Sequence, residues 1–218
     1  LKKVVQIVKE DAARKIVVVS APGKRSAEDE KVTDLLIGFG MKALVGHDYS
    51  AVLSKIINRY QSIAEELGLG NEIIDEIRTN LDSLVNGNKD EPDYYLDAFK
   101  ASGENNNAKL VAAYFNQEGV PARYMDPKEA GLVVTNEPGN AQVLPESYEQ
   151  LYKLRESKEV IIFPGFFGYT KDGKACTFSR GGSDITGSIL ANGIKAGLYE
   201  NFTDVDAIFA ANPNVVEN

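Results

Sequence analysis

The chain has 218 residues, one to one and a half domains' worth, and its 43% hydrophobic and 26% charged residues fit a globular protein with a real core. That composition excludes a wholly disordered chain, and no apolar run reaches the 18 residues that a membrane span needs. With 32 acidic and 24 basic residues the net charge is −8, so a global basic footprint for nucleic acid is absent, although a pocket can still be locally positive.

Taken in chain order, residues 1–13 place Leu1, Val4, Val5 and Val8 at helical spacing. Their charges recur every few residues and no small-residue cleavage pattern follows, unlike a signal peptide. The β-branched run Lys15–Ser20 reads as a buried parallel strand ending in the turn Ala21–Lys24. A charged loop, Arg25–Lys31, leads to an apolar helix near Val32–Ala43. Residues 50–86 repeat apolar side chains at three and four, broken only at Gly68 and Gly70, and predict a helical hairpin.

After a polar turn at Asn86–Pro92, a helix over 93–100 runs into Ala101–Glu104, and a further helix over about 105–118 ends at Gly119. Strands are expected at Ala122–Met125, Leu132–Val134 and Val160–Phe163. Pro145 suits the first position of a helix carrying Tyr148, Leu151 and Tyr152, and Lys171–Lys174 suits a hairpin turn. Gly182–Lys195 reads as a helix, and Asn201–Phe202 with Ala207–Phe209 frame Thr203–Asp206. Alternating strands and helices predict an α/β class: a three-layer α/β/α sandwich on a mainly parallel sheet. Ligands in such folds sit beyond the carboxyl ends of strands, which singles out the loops at 20–33, 163–168, 179–184 and 203–206.

One cysteine, Cys176, and one histidine, His47, exclude an intrachain disulfide, a Cys-based zinc site and a histidine relay. Cys176 reads as strand core and His47 as a helix-end surface residue. Cysteine usage points to the reducing cytoplasm. Any chemistry must use backbone amides, carboxylates, Arg, Lys and hydroxyls.

In Ser179–Asp184 the paired Gly181 and Gly182 allow close approach of an anion to backbone amides, and Arg180 can grip a carboxylate or phosphate bidentately. The same residues also suit an ordinary turn, with Ser183 or Asp184 as a helix cap. Phe163–Gly168 can wall a small polar ligand or simply end a strand. Glu104 could hold an ammonium group or merely complement a helix dipole. Thr203 and Asp204 could hydrogen-bond a base or ribose, or stabilise a turn.

Together and in this order, Val17–Ala21, Val32–Leu36, Ser102–Glu104, Gly165–Gly168, Ser179–Asp184, Phe202–Asp206 and Ala211–Pro213 resemble the catalytic domain of aspartate kinases, within the amino acid kinase family. The resemblance runs from residue 1 to 218, and Asn136–Ala141 is similar to one bacterial branch. It implies transfer of the ATP γ-phosphoryl group to the β-carboxylate of L-aspartate, with Mg2+, giving 4-phospho-L-aspartate. This is the first step toward lysine, threonine and methionine.

By motif, the resemblance implies that Arg180 clamps the α-carboxylate and Glu104 takes the α-ammonium. Ser20 and Thr33 would lie along the β-carboxylate, and Phe166 would line the pocket. Gly181, Gly182 and Ser183 would shape the loop, and Asp184 would serve catalysis by orienting lysines. Thr203 and Asp204 would contact the nucleotide, with Phe209 against the base. The implied partners are L-aspartate and ATP in a homo-oligomeric full-length protein, with neither nucleic acid nor membrane. Other amino acid kinases, acting on N-acetylglutamate, glutamate or UMP, and a non-catalytic binding fragment are the alternatives; Glu104 suits a free ammonium.

The family's opening Lys-Phe-Gly-Gly strand-loop and its C-terminal ACT regulatory domains find no match here, so the 218 residues read as a partial catalytic domain with little turnover of their own. Family members often carry Tyr and then Asp-Pro-Arg where this chain has Phe209 and Asn212-Pro213-Asn214.

Overall fold

In the computed structural model, which describes residues 1–202, helix α1 (Lys2–Glu10) leads into strand β1 (Ile16–Val19). Four helices follow: α2 (Val32–Leu44), α3 (Ser50–Leu67), α4 (Glu72–Leu84) and α5 (Pro92–Gln117). Strand β2 (Ala122–Tyr124) precedes α6 (Ser147–Tyr152), a 3-10 turn over Lys153–Glu156, and β3 (Val160–Pro164). A short antiparallel pair, β4 (Phe167–Tyr169) and β5 (Ala175–Thr177), leads to α7 (Gly182–Gly193).

Strands β1, β3 and β2 form a parallel sheet in that order, with Ile16 opposite Ile161 and Ala122 opposite Val160. The central strand is the β-branched Val160-Ile-Ile-Phe163 run, and all five residues of β3 are buried. Its side chains alternate between faces as a pleated strand requires. Val160 and Ile162 pack with Val5 and Val8 of α1 and with Val111 and Phe115 of α5. Ile161 and Phe163 pack on the other face with Leu151, Ile189 and Leu190. Helices thus cover both faces, and the three-layer α/β/α sandwich is borne out.

Helices α2, α3 and α4 build a separate apolar lobe against the first half of α5, around Phe39, Tyr60, Ile77 and Phe99. The hairpin expected over 50–86 is α3 and α4, and Gly68, at φ +70°, ends α3 in the left-handed conformation that favours glycine. Cys176 is fully buried in β5 and His47 is exposed beyond α2.

Three expectations need correction. Residues 93–118 are not two helices around a loop; α5 runs unbroken for 26 residues through Ser102-Gly103-Glu104. Glycine in a helix interior costs about 1 kcal/mol, but tertiary packing readily outweighs that. Leu132–Val134 is not a strand: Val133 and Val134 make only isolated bridges, to Tyr169 and Val143. Pro145 lies two residues before α6 rather than at its first position, in a turn where the Tyr148 N–H donates to its carbonyl.

Candidate active site

The carboxyl ends of β1 and β3 lie side by side, with Val19 opposite Pro164 and the Gly165 N–H donating to the Val19 carbonyl at 2.9 Å. The chain then turns sharply at Phe166, whose φ of 78° is one that residues with a side chain rarely adopt. The turn is held from both sides. The Phe166 N–H donates to Thr186 Oγ1 at 3.0 Å, and its carbonyl accepts from the Phe178 N–H at 2.8 Å.

Two glycines let this turn press against the start of α7. A Cβ on Gly165 would fall 2.6–2.8 Å from the Oγ, Cβ and Cα of Ser183. A Cβ on Gly182 would fall 2.5 Å from the Phe166 ring. Gly181 caps α7 at φ +81°, so a side chain there would strain the backbone.

Helix α5 closes the other side. Gly103 brings it within reach of the β1 exit, since a Cβ there would lie 3.0 Å from Ala21 Cβ and from Leu36 Cδ1. The Asn107 amide donates to the Ser20 carbonyl at 2.6 Å. From α3, the buried Tyr60 hydroxyl donates to the Gly103 carbonyl at 2.9 Å. Thr33 is half-buried in the first turn of α2, one turn before Leu36.

Glu104 stands in the middle of α5, 6% exposed, and its Oε2 has no hydrogen-bond partner among the described residues. Desolvation pushes its carboxyl up to about 7, only partly offset by the Ala21 and Glu104 backbone N–H groups. The mid-helix position removes the helix-dipole explanation, which acts only in the first turn. A buried carboxylate oxygen without a donor is costly, which makes Glu104 a strong candidate for an ammonium partner.

Arg180 is the opposite case. It is exposed and, among the described residues, makes no hydrogen bond or ion pair. Asp184 is exposed in the first turn of α7 and lies close enough to Tyr199 to raise its hydroxyl titration, though desolvation is the larger cause. Ser20 is exposed and Ser183 half-buried.

The structure thus gathers Ser20, Glu104, Phe166, Gly182 and Ser183 around adjoining strand ends, with Thr33, Arg180, Gly181 and Asp184 on the flanking turns. Thr203, Asp204 and Phe209 lie outside the described residues. Two surface grooves, of about 620 and 280 Å3, lie elsewhere, one along Lys2, Gln6 and Tyr114, the other along Lys128, Glu146 and Tyr169. Neither includes a residue of this set, and both are open grooves without a convergent set of orphaned polar groups. Sequence reasoning missed Tyr60, Asn107 and Thr186, which hold the loops through single hydrogen bonds across 20 to 87 residues. Tyr60 stood among core residues at helical spacing, and nothing in its neighbours betrays the hydroxyl's role.

Residues 1–218 match the amino acid kinase family. The chain belongs to that family. Over all 218 residues it is 62% identical to aspartokinase 3 of Bacillus subtilis, covering 48% of that protein. Among solved structures it is similar to an aspartate kinase from Clostridium acetobutylicum, at 34% identity and a TM-score of 0.77. That match covers the whole chain and 47% of the crystallised one. The crystal structure of E. coli aspartokinase III in complex with aspartate and ADP matches at 23% identity and a TM-score of 0.66, over 99% of this chain and 48% of that one, and speaks for the fold alone. The chain therefore spans about half the length of the relatives it matches. The amino acid kinase fold accounts for the sandwich and for candidate residues collecting at strand ends.

Proposed function

We propose that this chain belongs to an aspartate kinase and supplies the amino acid side of its catalytic site. The observation that carries the reading is the contrast between Glu104, a buried carboxylate with an orphaned oxygen, and Arg180, an exposed guanidinium with no partner among the described residues. An α-amino acid offers one ammonium and one carboxylate to such a pair. The 62% identity to an aspartokinase supports aspartate as the amino acid.

In this reading Arg180 grips the α-carboxylate with two parallel hydrogen bonds and Glu104 accepts from the α-ammonium. Phe166 walls the pocket, and the Ser20 and Thr33 hydroxyls lie along the side-chain carboxylate. One oxygen of that carboxylate attacks the γ-phosphorus of ATP. A new O–P bond forms, the bond to the bridging oxygen breaks, and the electrons leave with ADP. The products are 4-phospho-L-aspartate and ADP, so the protein would open lysine, threonine and methionine biosynthesis. No covalent enzyme intermediate is needed, because phosphoryl transfer depends on positioning and charge neutralisation. That suits a chain with one exposed histidine and one buried cysteine.

Gly181, Gly182 and Ser183 shape the loop that presents backbone amides to an anion, and Asp184 orients cationic groups at the transferring phosphate. Thr203, Asp204 and Phe209 would serve the nucleotide. Mg2+ would arrive on the phosphates of ATP; it keeps several waters and takes only one or two carboxylates. Among the described residues no three of His, Cys, Asp and Glu are grouped so as to cage an ion. No helix among the described residues is long and apolar enough to cross a membrane. The reading includes a cytoplasmic setting, a homo-oligomeric assembly and no nucleic-acid partner.

The test is ADP release by the full-length protein with L-aspartate, N-acetylglutamate and UMP in parallel, repeated with Arg180→Ala. Aspartate-dependent ADP that collapses in the variant supports both substrate and role. ADP release independent of aspartate would remove the substrate assignment.

A further inference from the structure

Asp97 is completely buried on α5, and its carboxylate is fully engaged. Oδ2 accepts from the Thr177 N–H at 2.7 Å, the Thr177 hydroxyl at 2.9 Å and the Gly139 N–H at 2.9 Å. Oδ1 accepts from Lys100 Nζ at 2.7 Å, and that ammonium is 28% exposed. Four donors therefore converge on one side chain, three of them on a single oxygen.

Thr177 is the last residue of β5 and stands three residues before Arg180. The next residue, Phe178, donates its N–H to the Phe166 carbonyl. The Thr177 carbonyl in turn accepts from the Ala141 N–H at 3.1 Å, so the Asn136–Ala141 segment is drawn into the same knot. Both Phe166 and the Arg180 loop thus hang from a strand end that Asp97 fastens to α5. Glu104 lies on the same helix face, seven residues further on, a rise of about 10 Å.

We infer that Asp97 is a positioning residue that fixes the separation between Glu104 and Arg180 by tying α5 to the end of β5, and so keeps the two ends of the amino acid site in register for substrate binding. The inference rests on the proposed function. A rigid helix carries the ammonium acceptor at one point and the anchor of the carboxylate clamp at another. If the anchor slips, Arg180 moves relative to Glu104, and a substrate held at both ends feels the error. A nucleotide, which does not span the two, does not.

The test uses the full-length protein with Asp97→Asn, Thr177→Val and Thr177→Ser. An asparagine offers one acceptor oxygen, and its NH2 would face either the Thr177 donors or Lys100. In Asp97→Asn the KM for L-aspartate is expected to rise at least about tenfold, with kcat falling less than about threefold and the KM for ATP within twofold. Thr177→Val should move the aspartate KM in the same direction by a smaller factor, and Thr177→Ser, which restores the hydroxyl, should return it. Should Asp97→Asn fail to fold, the threonine pair decides alone. An unchanged aspartate KM in a folded variant overturns the inference. So does a rise in both KM values with a fall in kcat that tracks the loss in Tm, or a Thr177→Ser no better than Thr177→Val. If the wild-type protein makes no aspartate-dependent ADP, it is the functional reading that fails, and this inference falls with it.

Discussion

Arg59 on α3 and Asp29 in the loop between β1 and α2 form an ion pair that fastens an exposed loop to the helical lobe. The Arg59 side chain is 3% exposed, and it also donates to the carbonyls of Gly23 at 2.8 Å and Glu30 at 3.2 Å. Arg25 reaches the same carboxylate through its backbone N–H and its guanidinium, and these bonds, with Arg59 beside them, hold the Asp29 carboxyl well below the usual range. The loop so tied runs from Ser20 to Thr33, the two hydroxyl residues proposed to lie along the aspartate side chain.

Arg59→Met removes the anchor and leaves Asp29 with Arg25 alone. Loss of one partner of a largely buried pair should cost about 1–3 kcal/mol of stability. The loop should also open, so tryptic cleavage after Lys24 or Arg25 is expected to accelerate roughly tenfold under native conditions. Mass spectrometry of the fragments reads this directly. An unchanged cleavage rate would mean that Arg25 and Asp29 hold the loop without α3.

Glu104 makes a pH prediction with a defined sign. Its carboxyl titrates near 7 in the folded protein against an ordinary 4.5, so between those values the folded state keeps a proton that the unfolded chain releases. Stability without ligand should therefore fall as pH rises from about 4.5 to 7, by up to about 3 kcal/mol, and then level off. An ammonium ligand needs the ionised form, so aspartate binding should tighten over the same window and release a proton near pH 6.5. Calorimetry in buffers of different ionisation enthalpy measures that proton. Glu104→Gln should lose aspartate binding while gaining stability at pH 8; a variant that loses both would argue for a purely structural carboxylate.

Much of the fold was legible because β1 and β3 are short β-branched runs and α3 and α4 repeat their apolar residues at three and four. The main error, at Ser102-Gly103-Glu104, has a definite cause. A glycine between two polar residues reads locally as a break, whereas here its missing side chain lets α5 touch Ala21 and Leu36. That reason lies 67 and 82 residues away in sequence. The candidate loops were legible in sequence, in Arg180, Gly182 and Phe166. Its supports were not: Asp97, Tyr60 and Arg59 act across the lobes through contacts that no local pattern encodes.

Gly165 is a further support, pressed against backbone. A methyl group there would meet the backbone Cα of Ser183 at 2.8 Å, and backbone cannot swing aside as a side-chain tip can. Gly165→Ala should therefore push the Phe166 turn away from α7. A stability loss of about 1–3 kcal/mol is expected, together with a raised KM for aspartate. Urea unfolding and steady-state kinetics check the two parts separately.

Phe166 offers the opposite experiment. Its backbone sits at φ 78°, a conformation that costs a residue with a side chain about 1–2 kcal/mol and that glycine adopts freely. Its ring is only half-buried, so removing it forfeits part of a full aromatic burial. The two effects oppose, and Phe166→Gly should leave Tm within a few degrees of wild type. If the ring walls the amino acid, the KM for aspartate should nevertheless rise by about tenfold or more, since an apolar wall excludes water from the charges at Glu104 and Arg180. Thermal unfolding beside aspartate titration separates the outcomes. A large fall in Tm with unchanged affinity would assign Phe166 to the core instead.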